Sequence, residues 1–221
     1  MDRTDKILTV AKRVIKTVIT VLIFAFIFAL LFRIWSNDYY PKTMKNIYFT
    51  DSLTEYYKEN SDTFKAYKQK VRVSYDDKEE GNFFGSNTIV VPEADALQTV
   101  IRYNDAIFEK YAEEYGIGEE EMKSGTPFLF SAFACTGSDG DEGYSGENYT
   151  PTETVKDSFW MYTYEKLCFD GIELDGVYWV RLDIMLNDEA QTKLGSIVVY
   201  ENHAKNNKLE PLKIKKSELP K

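Results

Sequence analysis

Gly176-Val177-Tyr178-Trp179-Val180-Arg181-Leu182-Asp183-Ile184-Met185-Leu186 places an apolar side chain at nearly every second position. Successive side chains of a strand point to opposite faces, so Tyr178, Val180, Leu182, Ile184 and Leu186 share one face. Arg181 and Asp183 fall on the other. A strand with one face on a core and one toward solvent reads this way. The same chemistry recurs on both sides of it. Gly195 to Tyr200 and Leu212 to Ile214 follow as two further strands. Ser158 to Phe169, with FWMYTYEKLCF inside it, precedes as an aromatic strand ended by Asp170-Gly171.

Closer to the N-terminus, Pro127 to Ala134 is an apolar run of strand length that belongs in the middle of a sheet. Leu97 to Tyr103 is another strand, with Leu97, Thr99, Ile101 and Tyr103 on one face. Asn87 to Val91 is β-branched and stopped by Pro92. Lys70 to Tyr75 alternates and runs into the charged turn Asp76–Gly81. Between strands, Asn104-Asp105 supplies an N-cap pair, Ile107, Phe108, Tyr111 and Tyr115 a helical face, and Gly116 the stop. About eight strands with short connections and one helix favour a mainly β domain, an antiparallel immunoglobulin-like sandwich, over repeated βαβ units. Thr136 to Thr154, TGSDGDEGYSGENYTPTET, is nineteen residues of turn chemistry; such a length marks a functional or a mobile segment.

Ahead of this domain, Val14 to Ile34 is one apolar run entered through Lys12, Arg13 and Lys16 and left through Arg33. With its flanks it reaches the roughly 17–25 residues that cross a hydrocarbon layer. Lys16 and Arg33 can snorkel, and Trp35, Tyr39 and Tyr40 sit where an interfacial aromatic belt belongs. Five basic residues, Arg3, Lys6, Lys12, Arg13 and Lys16, precede the charge-free core that starts at Thr17, so the positive-inside bias sets the N-terminus in the cytoplasm and the rest outside. A cleaved secretory signal has the same start, but its cleavage site wants small residues where Leu30-Leu31-Phe32-Arg33 stands. The organisation expected is a cytoplasmic N-terminus (1–13), a signal-anchor helix (14–35), a juxtamembrane stalk or helix (36–69), an extracytoplasmic domain (70–216) and a short tail (217–221). The stalk reading rests on Phe49, Leu53, Tyr56, Tyr57, Phe64 and Tyr67, which recur near helical spacing without proline or glycine.

Composition excludes some partners. Residues 37–221 hold 21 Lys and Arg against 34 Asp and Glu, a net of −13. Nucleic acid needs clustered cations that release counterions, and anionic lipid repels such a surface. The expected partners are membrane lipid through the N-terminal helix and an envelope or membrane protein. Cys135 and Cys168 end apolar runs in an oxidising compartment, which leaves open both a disulfide and two buried thiols.

Catalytic chemistry finds little footing. The single histidine, His203, lies in a polar turn, no serine occupies a Gly-x-Ser-x-Gly elbow, and neither cysteine has a nucleophile signature. One histidine and two separated cysteines give no zinc spacing. Asp139-Gly140-Asp141-Glu142-Gly143 with Glu147 is acidic and flexible but misses the EF-hand positions, and solvated loops of this kind are commoner than calcium sites. Glu165, Asp170, Glu173, Asp175 and Asp183 offer carboxylates for acid hydrolysis, as any acidic domain does. Asn148-Tyr149-Thr150 fits a glycosylation sequon that the following Pro151 disfavours. Trp160, Tyr162 and Tyr164 form a stripe that could face a carbohydrate, although core packing accounts for such stripes more often. No catalytic residue, cofactor or metal ligand is assigned.

The segments LQTVIRYNDAIFEKYAEEYG, FLFSAFA, YEKLCFDGIELDG and LGSIVVYENHA give the stretch from Arg72 to Tyr200 a likeness. It resembles a group of uncharacterised bacterial proteins that carry an immunoglobulin-like sandwich on a single N-terminal helix. That resemblance implies a fold and a location and no substrate. The expectation is a single-pass, membrane-anchored protein with a binding or scaffolding role at the cell envelope. An accessory subunit pairing through Ala25 and Ala29 is one alternative, and an envelope hydrolase using acids is another.

Overall fold

A computed structural model of the chain describes residues 3–38, 40–69, 83–86, 88–116, 128–138, 144–187, 190–202 and 209–220. It falls into two compact units, Met1–Tyr40 and Pro41–Lys221. The first is helix α1, Arg3–Asp38. Its stretch Lys12–Phe32, 21 residues, is long and apolar enough to cross a membrane by length and composition, and none of it is buried in protein. Apolar side chains point outward all round it, Phe24 and Phe28 included, as lipid rather than water would favour. Thr20 donates its hydroxyl to the Lys16 carbonyl at 2.8 Å, which satisfies the polar group within the helix.

The second unit is mainly β, and all its strand pairs are antiparallel. In chain order the strands are β1 Tyr67–Gln69, β2 Phe83–Gly85, β3 Thr88–Val91, β4 Ala96–Asn104, β5 Phe128–Ser138, β6 Tyr144–Tyr149, β7 Glu153–Phe159, β8 Tyr162–Asp170, β9 Trp179–Leu186, β10 Lys193–Glu201 and β11 Glu210–Pro211. The first sheet runs β11-β1-β3-β4-β8-β7, with β2 also on β4; the second runs β10-β9-β5-β6. Helices α2 Lys42–Lys45 and α3 Asp51–Glu59 precede the strands, and α4 Asp105–Tyr115 follows β4.

One apolar core joins the two sheets. Leu97, Ile101, Leu167 and Phe169 enter it from the first sheet, and Phe128, Phe130, Val180, Leu182, Ile184 and Leu186 from the second. Burial of each such side chain stabilises by about 1.5–3 kcal/mol before entropy is counted. At one end, α4 contributes Tyr111 to a ring cluster in which Phe83 and Tyr103 meet Phe128 edge-on at 5.0 and 4.9 Å. Gly116, at φ +69°, closes α4 in the left-handed conformation that glycine adopts without cost.

The other face of the first sheet is covered too. Ile47, Leu53, Ala66, Ile89, Val91 and Ala96 form a second core, flanked by Phe49, Tyr56, Phe64, Leu212 and Ile214. Leu53 is 1% exposed. Residues 41–69 are therefore built into the domain, where the sequence pattern predicts a separate stalk over 36–69. The apolar face it took for a stalk helix packs on a sheet, with α3 started by an N-cap bond from Leu53 N–H to the Thr50 hydroxyl at 3.2 Å.

The strand expected over Ser158–Phe169 is two strands: Trp160, at φ +61°, and Met161 turn the chain between β7 and β8. The long loop expected over 136–154 contains β6 and the end of β5, paired as a hairpin, and the start of β7. Tyr178 precedes β9 and is 48% exposed. The strand expected at Leu212–Ile214 ends instead at Pro211; Leu212 N–H makes a single 2.8 Å bond to the Ala66 carbonyl. The strand expected at 70–75, the turn at 76–81 and residues 139–143 lie outside the described residues. Elsewhere β3, β4, α4, β5, β9 and β10 stand where the sequence pattern predicts them.

Candidate functional site

Within the domain no layer of described residues covers the outer face of the second sheet, whose β9 side chains are half-buried there. Strand β9 alternates strictly: Val180, Leu182, Ile184 and Leu186 are buried, and Trp179, Arg181, Asp183 and Met185 are half-buried on the far side. Register fixes their neighbours. Phe133 of β5 stands opposite Arg181, and Asn148 of β6 opposite Phe133. Phe133 and Trp179 lie 5.7 Å apart, and Tyr144 of β6 meets Trp179 edge-on at 5.2 Å. The Arg181 guanidinium sits 5.3 Å from the Phe133 ring and 5.9 Å from that of Trp179.

Beside the rings is a fixed charge network. Arg181 Nε and Nη2 meet the two oxygens of Asp183 at 2.8 and 3.1 Å. Lys193 Nζ approaches the same carboxylate at 3.1 Å, and the Ser196 hydroxyl donates to it at 2.7 Å. Burial pushes the Asp183 carboxyl upward, but the hydrogen bonds from Ser196, Lys193 and Arg181 outweigh it and hold the group below its usual range. Gly146 makes the close packing possible: a Cβ there would stand 2.2 Å from the Ala134 carbonyl oxygen and 2.7 Å from the Phe133 ring. The result is a rigid patch of three rings, two cations and one carboxylate on paired strands.

The first sheet holds polar groups of a different kind. On its covered face, Lys166 is 1% exposed and its ammonium donates to the Thr43 carbonyl at 2.7 Å and to that of Asn46. Burial pulls its pKa down to about 8, only partly opposed by Cys168. Burial likewise pushes the Cys168 thiol up to about 12. Gln98 pairs with the Tyr48 backbone, and Asp170 accepts from Ser52 at 2.6 Å and Thr152 at 3.0 Å. These bonds fasten residues 43–52 to the sheet and leave no reactive group exposed. On the core-facing side, Glu165 accepts from Tyr103 at 2.5 Å and pairs with Lys156 at 3.2 Å. A cleft of about 540 Å³ opens beside the covering segment, lined mainly by Tyr57, Phe64, Tyr67, Leu212, Ile214 and Leu219. Among the described residues its lining holds the cation Lys65 and no carboxylate.

The acids singled out from sequence are thus dispersed. Glu165 lies between the sheets, Asp170 bonds the covering segment, Asp183 is on the open face, and Glu173 and Asp175 are exposed. Among the described residues no group of three or more His, Cys, Asp or Glu is placed to hold a metal ion. Glu147 is exposed on β6 and accepts from the Tyr149 hydroxyl at 2.9 Å. His203 and the rest of the acidic loop lie outside the described residues. Cys135 and Cys168 are buried free thiols in different sheets. The stripe Trp160, Tyr162, Tyr164 does not form: Trp160 is in the turn and 64% exposed, whereas Tyr164 is fully buried. The rings that do gather, Phe133, Tyr144 and Trp179, come from three strands, and only the outward parity of Trp179 and Arg181 in the β9 alternation foreshadows them. No protein-family model, curated protein or solved structure matches the chain.

Proposed function

We propose that the protein is a single-pass, membrane-anchored domain outside the cytoplasm, with a non-catalytic binding role at the cell envelope exercised through the open face of its second sheet. The observation that carries this reading is the Phe133–Trp179–Tyr144 cluster with Arg181, held on a face that no described residue of the domain covers. Aromatic and arginine side chains on a rigid scaffold are the usual anchors of recognition surfaces. The acids are scattered, with Glu165, Asp170 and Asp183 bonded in different parts of the domain, and this argues against the hydrolase. Orientation rests on the five basic residues before Thr17. The immunoglobulin-like reading, and with it the likeness to bacterial anchored proteins, rests on two antiparallel sheets that share one core.

The test uses the full chain in its membrane. A Tyr144→Ala, Trp179→Ala, Arg181→Ala triple variant should keep its melting transition within a few degrees and lose the envelope component that the wild type retains on mild solubilisation. Equal recovery by both would overturn the reading. For the accessory-subunit alternative, Ala25→Leu with Ala29→Leu should produce that loss instead.

A further inference from the structure

We infer that the free edge of β6 is a strand-addition site that takes an extended, basic polypeptide segment from a partner protein. This deepens the binding role proposed above and rests on it. An edge strand directs the N–H and C=O groups of alternate residues outward, and the chemistry that matches such a row is another strand.

Among the described residues the two sheets end at β11, β7, β10 and β6, beside the three-residue β2 on β4, and three of those four end strands are blocked. β11 has two residues, and the second, Pro211, has no N–H. β10 is bulged at Lys193/Gly195 and Val198/Tyr200. Its backbone is also occupied by side chains of the other sheet: Thr88 donates to the Val199 carbonyl at 2.5 Å, and Gln69 bonds both the carbonyl and the N–H of Glu201 at 2.7 and 3.0 Å. β7 carries Glu153, Lys156 and Asp157, with Thr43 bonded to Asp157 at 2.7 Å and Asp51 N–H to Glu153 at 3.3 Å. Natural edges are guarded by such devices.

β6 is the least guarded: its one charge is Glu147, and the Ser131 hydroxyl donates to its last carbonyl, that of Tyr149, at 3.3 Å. Tyr144–Tyr149 contains no proline and no lysine, pairs with β5 along its length with one register shift that falls on β5 at Cys135/Gly137, and has no second strand partner among the described residues. An added strand would lay alternate side chains next to Tyr144 and Asn148, extending the patch around Trp179. Charge selects the occupant. Glu147 is the one charged residue of β6, and residues 37–221 carry a net charge of −13. A basic segment is attracted, whereas a second copy would bring the same negative field against itself.

The probe is an acetylated, amidated peptide of alternating Lys and Val, added to the full chain in nanodiscs and read by hydrogen exchange of amides 144–149. We expect outward amides of β6 to exchange at least tenfold more slowly with saturating peptide. An Asp/Val peptide, or the Lys/Val peptide N-methylated at alternate residues, should leave them unchanged. Glu147→Gln should narrow the difference between basic and acidic peptides. Protection by neither peptide, equal protection by both, or protection that survives N-methylation would overturn the site. Protection that grows with protein concentration alone would assign the edge to a second copy and overturn it too. If the peptide alters Trp179 fluorescence while β6 amides stay fast, strand addition fails and binding by the open face survives.

Discussion

In β4 eight of nine residues are buried in succession, whereas in β9 burial falls on every second residue. The two strands belong to the two sheets, and the difference between them is a difference of cover. The first sheet lies between the shared core and a second layer made by residues 47–66 with Leu212 and Ile214. Its outward side chains had to become internal, so Gln98, Lys166, Cys168 and Asp170 are buried or bonded to the covering segment. The second sheet keeps one side in water and carries there a ring, cation and carboxylate cluster. A sheet closed on both faces has stability as its task; a sheet left open on one face can meet a partner.

The contrast breaks most visibly if the cover is loosened. Leu53→Ala removes the side chain by which α3 docks, and should cost about 2–5 kcal/mol in urea unfolding. A loss under 1 kcal/mol would mean that the layer is not part of the cooperative unit. On the open sheet, Gly146→Ala should cost about 1–3 kcal/mol, because its Cβ meets backbone at the Ala134 carbonyl, and faster exchange should be confined to 144–149.

Titration separates the faces more finely. Lys166, at about 8 when folded against 10.5 for a free amine, binds fewer protons when folded, so stability rises as pH climbs from 8. The Cys168 thiol opposes this above pH 9, since it stays protonated up to about 12 in the fold and ionises near 9.0 in the open chain. Between pH 8 and 9 the wild type should gain roughly 0.5 kcal/mol net of the thiol, and Lys166→Met should instead lose a few tenths of a kcal/mol. On the open face, Asp183 works on the acid side. Its carboxyl titrates below 3.8 when folded, so its contribution is present above about pH 4 and fades as pH falls through the folded value. Asp183→Asn should cost less than about 1 kcal/mol at neutral pH, and the difference from wild type should vanish in acid.

The open sheet was the more legible of the two. One-sided burial writes a period of two, and β9 announces itself from Val180, Leu182, Ile184 and Leu186 alone. Two-sided burial erases that period: ALQTVIRYN reads as a strand, yet nothing in it says that Gln98 bonds the covering segment or that Arg102 is buried against the Phe84 and Tyr162 rings. Residues 47–67 have an apolar stripe, and a stripe does not say what it packs against. β6 was hidden because YSGENY has the composition of a turn; its strand conformation comes from pairing with β5 and from the space that Gly146 leaves for Phe133. The aromatic patch was invisible for a simpler reason, since its rings are up to 46 residues apart in sequence.

Thiol labelling reads the two faces side by side. In the native full-length chain, with peptide-level mass spectrometry after N-ethylmaleimide treatment, Cys168 under its cover should stay unmodified until denaturant is added, while a Tyr144→Cys variant should label at position 144 within minutes. Labelling of Cys168 at a rate comparable to position 144 would contradict the covered first sheet, and with it the assignment of the second sheet as the domain's exposed, binding side.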